Sequence, residues 1–150
     1  MSVKRVLSVG QCFADHSSLS RTFRTHFGAE VVGADSAPEA LALLEREACD
    51  LVLVNRVFDA DGGPGLDFIR QVRQEPLQDR VPVMLVSNYE WAQEEAVQAG
   101  ARPGFGKSSL GQAPMPIMAT RFWGRPSARL SLTLMIITGS ILAIRVALVA

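Results

Sequence analysis

The segment Asp50-Leu-Val-Leu-Val-Asn55 is apolar at every interior position. A strand with one wet face alternates apolar and polar residues, whereas one that is apolar throughout has to be covered on both faces, like an inner strand of a parallel sheet. Parallel neighbours need crossover segments, so this run demands helices before and after it.

The rest of the front section supplies them. Lys4 to Gly10 is a short β-branched run closed by glycine, a first buried strand with no secretory signal ahead of it. Leu19, Phe23 and Phe27 then recur at four-residue spacing and stop at Gly28, which predicts an amphipathic helix. Glu30 to Ala34 reads as a second strand. Ser36-Ala-Pro-Glu39 has the form of a capping box and predicts a helix over Ala40 to Glu47. Beyond Asn55, Asp59-Ala-Asp-Gly-Gly-Pro-Gly65 is turn chemistry, and Leu66, Phe68, Ile69 and Val72 form a helical stripe up to Arg73. Val81 to Ser87 is a fourth apolar strand with Pro82 near its start, and Trp91 to Gln98 a fourth helix before Gly100. A fifth strand is placed at Gly104-Phe105-Gly106.

Strands alternating with helices in this way predict an α/β fold, a doubly wound parallel five-stranded sheet with flanking helices. The chain of 150 residues, 48% hydrophobic and 20% charged, is long enough for one such core and excludes collagen, low-complexity disorder and a disulfide-framed miniprotein. Cys12, Cys49, His16 and His26 lack the spacing of a zinc site. The net charge of zero conceals an asymmetry: all 15 acids lie before residue 96, and the remainder carries only basic charges.

In such sheets ligands bind outside the carboxyl ends of the strands. Those ends are Gly10 and Gln11, Asn55, Ser87 and Lys107. Taken with Lys-Arg-Val-Leu-Ser-Val at the start, Gly-Leu-Asp-Phe-Ile-Arg-Gln-Val-Arg after the glycine turn, and Gln-Ala-Gly-Ala before the lysine, the ordered set resembles the receiver domains of response regulators, the CheY-like (flavodoxin-like) family, over residues 1–110. The resemblance implies a phosphorelay site: an aspartate nucleophile ending the third strand, an acidic pair after the first that helps to hold Mg²⁺, and a Ser/Thr and a Lys binding phosphoryl oxygens. Carried over, the acceptor falls on Asn55, the acidic pair on Gly10 and Gln11, and the oxygen-binding groups on Ser87 and Lys107. The family's aromatic in the fifth strand falls on Gly104, and the residue after the lysine is Ser108 rather than proline.

Two of five roles survive. An amide is neutral, a weaker ligand than a carboxylate and no phosphoacceptor, so no catalytic residue is assigned, no cofactor is expected, and Mg²⁺ binding is expected to be weak or absent. Three further expectations concern single residues: Asn55 accepts a hydrogen bond from Lys107, Ser87 serves as the N-cap of a helix starting at Tyr89, and Tyr89, Trp91 and Phe105 form an exposed partner face. The function implied is a degenerate receiver that docks to a signalling protein, either a histidine kinase or an output protein. Two alternatives stand beside it: phosphorylation on Asp59 or Asp61, or sensing of a small anion by Ser87 and Lys107. Nucleic acid is not an expected partner, because the basic residues of the tail are few and dispersed.

The back of the chain departs from the family. Residues 111–129 carry three prolines and three arginines without periodicity and read as a linker, where a receiver would close with a fifth helix; that C-terminal helix is thus atypical or replaced. Leu130 to Ala150 is a 21-residue apolar stretch, and a membrane span takes about 20. Arg145 sits near its end, where it can snorkel to the interface. The readings that stay open are an anchor on the inner face of the membrane for a cytoplasmic module, a degraded element of a soluble fold, or an aberrant tail from a lost reading frame.

Overall fold

The computed structural model describes residues 3–74 and 81–110. The proposed linker 111–129 and the apolar segment 130–150 lie outside the described residues. Five strands, β1 (Arg5–Val9), β2 (Glu30–Ala34), β3 (Leu51–Asn55), β4 (Val83–Val86) and β5 (Arg102–Phe105), form one sheet in the order β2-β1-β3-β4-β5. Every pairing is parallel. Between them run α1 (Phe13–Phe27), α2 (Ala37–Arg46), α3 (Gly65–Gln74) and α4 (Glu90–Gln98), and a short 3-10 turn, Lys107–Ser109, follows β5.

The pleat divides the apolar residues into two cores. Leu7, Val9, Val52, Val54, Val83 and Leu85 face α3 and α4, packing on Phe68, Ile69, Val72, Ala92 and Ala96. Val6, Leu51, Leu53, Met84 and Val86 face the other way, toward Leu19 and Phe23 of α1. All five residues of β3 are buried, because alternate side chains enter alternate cores. Each fully buried Val or Leu contributes roughly 1.5–3 kcal/mol, which is why this central strand anchors the fold.

Local signals act as the residues dictate. Gly28 closes α1 in the left-handed region at φ 59°, with its N–H donating to Arg24 O and that of Ala29 to Phe23 O. Ser36 Oγ accepts from Glu39 N at 3.4 Å, while the Glu39 carboxylate accepts from Asp35 N at 2.8 Å. This cap starts α2 at Ala37, three residues ahead of the sequence expectation, because Pro38 is tolerated in a first turn that needs no donor.

The fifth strand also lies earlier than expected, over Arg102–Phe105 rather than from Gly104 to Gly106. Pro103 is admitted because β5 is an edge strand, and the β4–β5 register is irregular between Met84 and Val86. Gln93 of α4 spans that irregularity: its Nε2 donates to Leu85 O and Ser87 O, each at 3.0 Å, and its Oε1 accepts from Gly104 N. A Cβ on Gly104 would sit 2.0 Å from Leu85 O, so only glycine permits this approach.

Candidate functional site

Among the described residues, the candidate positions at the carboxyl ends of the strands divide between two concavities. Asn55, Ser87 and Lys107 line a cleft of about 370 Å³ together with Arg56, Val57, Val86, Asn88 and Tyr89. Gly10 and Gln11 line a second cavity of about 440 Å³ on the β1–β2 side, with Ser8, His16, Asp35 and Asp59 among its other walls. Three of the five carried-over positions therefore line one cleft, and the two of the acidic pair line the neighbouring cavity, with Gly10 bonded through its carbonyl to Asn55.

Asn55 ends β3 and is buried. Its Nδ2 donates to Gly10 O at 2.8 Å, a bond that fixes the orientation of the amide. The expected bond from Lys107 to Asn55 is not formed. Lys107 Nζ instead pairs with Asp15 Oδ2 at 2.5 Å, reaching from the end of β5 to the first turn of α1. A carboxylate outcompetes a neutral amide for an ammonium group, and Asp15 is the sole acid among residues 1–29. Asp15 is the residue the sequence reading missed, and its isolation among basic and neutral neighbours was the available signal.

Ser87 is buried, and its Oγ accepts from Tyr89 N at 3.3 Å. The helix begins at Glu90, two residues later than a Ser87 N-cap bonded to the Tyr89 N–H would place it, with Tyr89 itself in the N-cap position, so Ser87 closes the turn ahead of α4 rather than capping it. Phe105 is 7% exposed and packs in the α1-side core, so it is no part of an exposed partner face. Tyr89 and Trp91, at 53% and 54%, are exposed as expected. Arg56 lies over both, its guanidinium carbon 4.9 Å from the Tyr89 ring centroid and 5.8 Å from that of Trp91.

The position carried over from the first acid is closed by geometry. Gly10 has φ 67°, and a Cβ there would fall 2.1 Å from Phe58 Cδ1. Its backbone is also fully engaged: the N–H donates to Ala34 O, and the carbonyl accepts from Asp59 N and the Asn55 amide. Gln11 is buried with neither amide atom hydrogen-bonded. These residues do not fit a Mg²⁺ ion, which takes hard, mostly anionic oxygen ligands in octahedral geometry: Gly10 offers no side-chain ligand, and Gln11 and Asn55 offer only neutral amides. Among the described residues no group of three or more His, Cys, Asp or Glu is placed to hold a metal ion.

Asp59 and Asp61 stand on the exposed loop after β3. Asp61 Oδ1 accepts from Gly63 N at 2.8 Å, the turn-forming role of an aspartate two residues before glycine. Asp59 faces the β1–β2 cavity and is not among the residues lining the cleft of Ser87 and Lys107.

Among known proteins, no family model matches the chain. Over 90 residues it is 36% identical to the alginate biosynthesis transcriptional regulatory protein AlgB of Pseudomonas aeruginosa. That match takes in 58% of this chain and 20% of the relative, so the chain spans about a fifth of it. Its backbone is similar to a putative response regulator from Chloroflexus aurantiacus, with a TM-score of 0.69 at 21% identity over 83% of this chain and 100% of that one. It is also similar to the receiver domain of the sensor histidine kinase PA1611 from Pseudomonas aeruginosa, with a TM-score of 0.67 at 19% identity over 82% and 99% of the two chains; that structure holds a magnesium ion in its active site cleft. The chemotaxis response regulator CheY4 of Vibrio cholerae gives a TM-score of 0.61 at 21% identity over 73% and 93%. Strand order, helix placement and these likenesses agree: the fold of this chain is the CheY-like fold of response-regulator receiver domains.

Proposed function

We propose that the chain is a receiver module of two-component signalling that has lost phosphoryl transfer at Asn55 and works in the cytoplasm by docking to a protein partner, a histidine kinase or an output protein. The observation that carries this reading is Asn55 at the end of β3: its amide nitrogen is spent on Gly10 O, and an amide is no nucleophile for phosphate. The Phe58 ring beside Gly10 adds to this, because any side chain at that position would run into it.

A second reading, recognition of a small anion by Ser87 and Lys107, is favoured by one observation: both residues line the same cleft. It is weakened by the Asp15 carboxylate, which already neutralises Lys107. Phosphorylation on Asp59 or Asp61 would need a metal and a cation beside them, and Lys107 is engaged on α1.

A titration with MgCl₂ tests the proposal. Neither the thermal midpoint nor the tryptophan fluorescence of the full chain is expected to respond saturably at millimolar Mg²⁺, in the wild type or in Asn55→Asp. A saturable response of the wild type would overturn it.

A further inference from the structure

We propose that the Arg56 cleft receives an acidic side chain of a partner protein, with Tyr89 and Trp91 as its rim. This rests on the docking reading above and gives that reading a surface and a partner chemistry.

Charge carries the argument. Among the described residues, no Asp or Glu lines the cleft formed by Asn55, Arg56, Ser87, Asn88, Tyr89 and Lys107 with its apolar walls. Lys107 is neutralised by Asp15, but Arg56 forms no ion pair with any described residue. Its guanidinium is instead held against two exposed rings, at 4.9 and 5.8 Å. An arginine stacked in this way keeps its planar fork of donors for a carboxylate and loses little side-chain freedom on binding. Ser87 and Asn88 add neutral polar groups beside it.

The rim supports a protein occupant. Tyr, Trp and Arg are the residue types most enriched where binding energy concentrates in protein interfaces, and here all three touch. The methylene stem of a glutamate would lie on the rings while its carboxylate meets Arg56. A polyanion fits less well. Nucleic acid is bound by many cations acting together, whereas among the described residues this cleft offers Arg56 as its one cation outside an ion pair.

The test uses the full chain carrying Trp123→Phe, so that Trp91 is the remaining indole. The probe is a capped hexapeptide of alternating leucine and glutamate, with its leucine–glutamine counterpart as control. The glutamate peptide is expected to change Trp91 fluorescence saturably. The glutamine peptide, and the glutamate peptide with Arg56→Gln, are expected to bind at least about tenfold more weakly. Arg56→Lys, which keeps the charge without the fork, is expected to fall between. Equal binding of the two peptides, indifference to Arg56→Gln, or no saturation at millimolar peptide overturns the proposal. So does saturable binding of inorganic phosphate without the peptide, which marks the cleft as a small-anion site. None of these outcomes alters the Mg²⁺ titration, so the cleft can fail while the docking reading stands, and a Mg²⁺ response would remove that reading itself.

Discussion

Gly10 does three things at once, and each follows from its having no side chain. It turns the chain at φ 67°, lets Phe58 close over it, and offers its carbonyl to Asn55. Gly10→Ala is therefore expected to cost about 2–4 kcal/mol, combining left-handed strain with overpacking, as read from urea denaturation. Adding Phe58→Ala should not recover that loss, because it removes a buried ring as well as the clash. Asp15 and Lys107 are the other pair to probe. A double-mutant cycle with Asp15→Asn and Lys107→Gln is expected to give a coupling of about 1 kcal/mol, since both side chains are only partly exposed. Additive effects within error would remove the ion pair from the account. At this scale Asn55, Ser87 and Lys107 were legible in the sequence because strand ends fix which residues converge. Asp15 was marked only by its isolation as an acid and Phe58 by no local pattern, since a helix's first turn and a loop reach the site through tertiary packing.

At the scale of elements, the strands came from apolar runs and the helices from their spacing, so their order and type were readable. Their limits were less so. β5 escaped correct placement because its sequence, Arg-Pro-Gly-Phe, has little strand character, and it is held by Gln93 from α4 rather than by a regular ladder. Gln93→Ala is accordingly expected to destabilise the fold by about 1–3 kcal/mol, with loss of hydrogen-exchange protection concentrated at Gly104 and Ser87. The opposite edge of the strands has its own clasp, where Asp50 accepts from Lys4 Nζ at 2.7 Å and from Arg5 N at 2.8 Å, joining β1 to the start of β3. Burial pushes the Asp50 carboxyl up, but the bonds from Lys4 and Arg5 and the Lys4 charge outweigh it and hold the group below its usual value. A depressed folded-state value means stability that is present above about pH 4 and lost as the pH falls through the folded value. Asp50→Asn is thus expected to cost about 0.5 kcal/mol at pH 7, the scale of a partly exposed pair. The difference from wild type should shrink as the solution is acidified below pH 4; a difference that persisted in acid would contradict this.

At the scale of the whole molecule, the described residues form a two-sided sheet, and we propose that its carboxyl edge has lost the phosphorelay chemistry. The frame of five parallel strands needs only apolar alternation and turns, so it tolerates Gly10, Gln11 and Asn55 at the strand ends where the resemblance puts a receiver's acids. That separation explains why the fold was more legible than the site. Burial patterns are written along each strand, whereas the state of a site depends on which neighbour fills a vacated volume. Among the described residues no helix is long and apolar enough to cross a membrane. The central claim is that phosphoryl transfer has been lost, and intact-mass measurement after incubation with acetyl phosphate and MgCl₂ tests it most directly. The full chain is expected to keep its starting mass. A gain of one phosphoryl group, mapped to Asp59, Asp61 or any other carboxylate of the carboxyl edge, would contradict it.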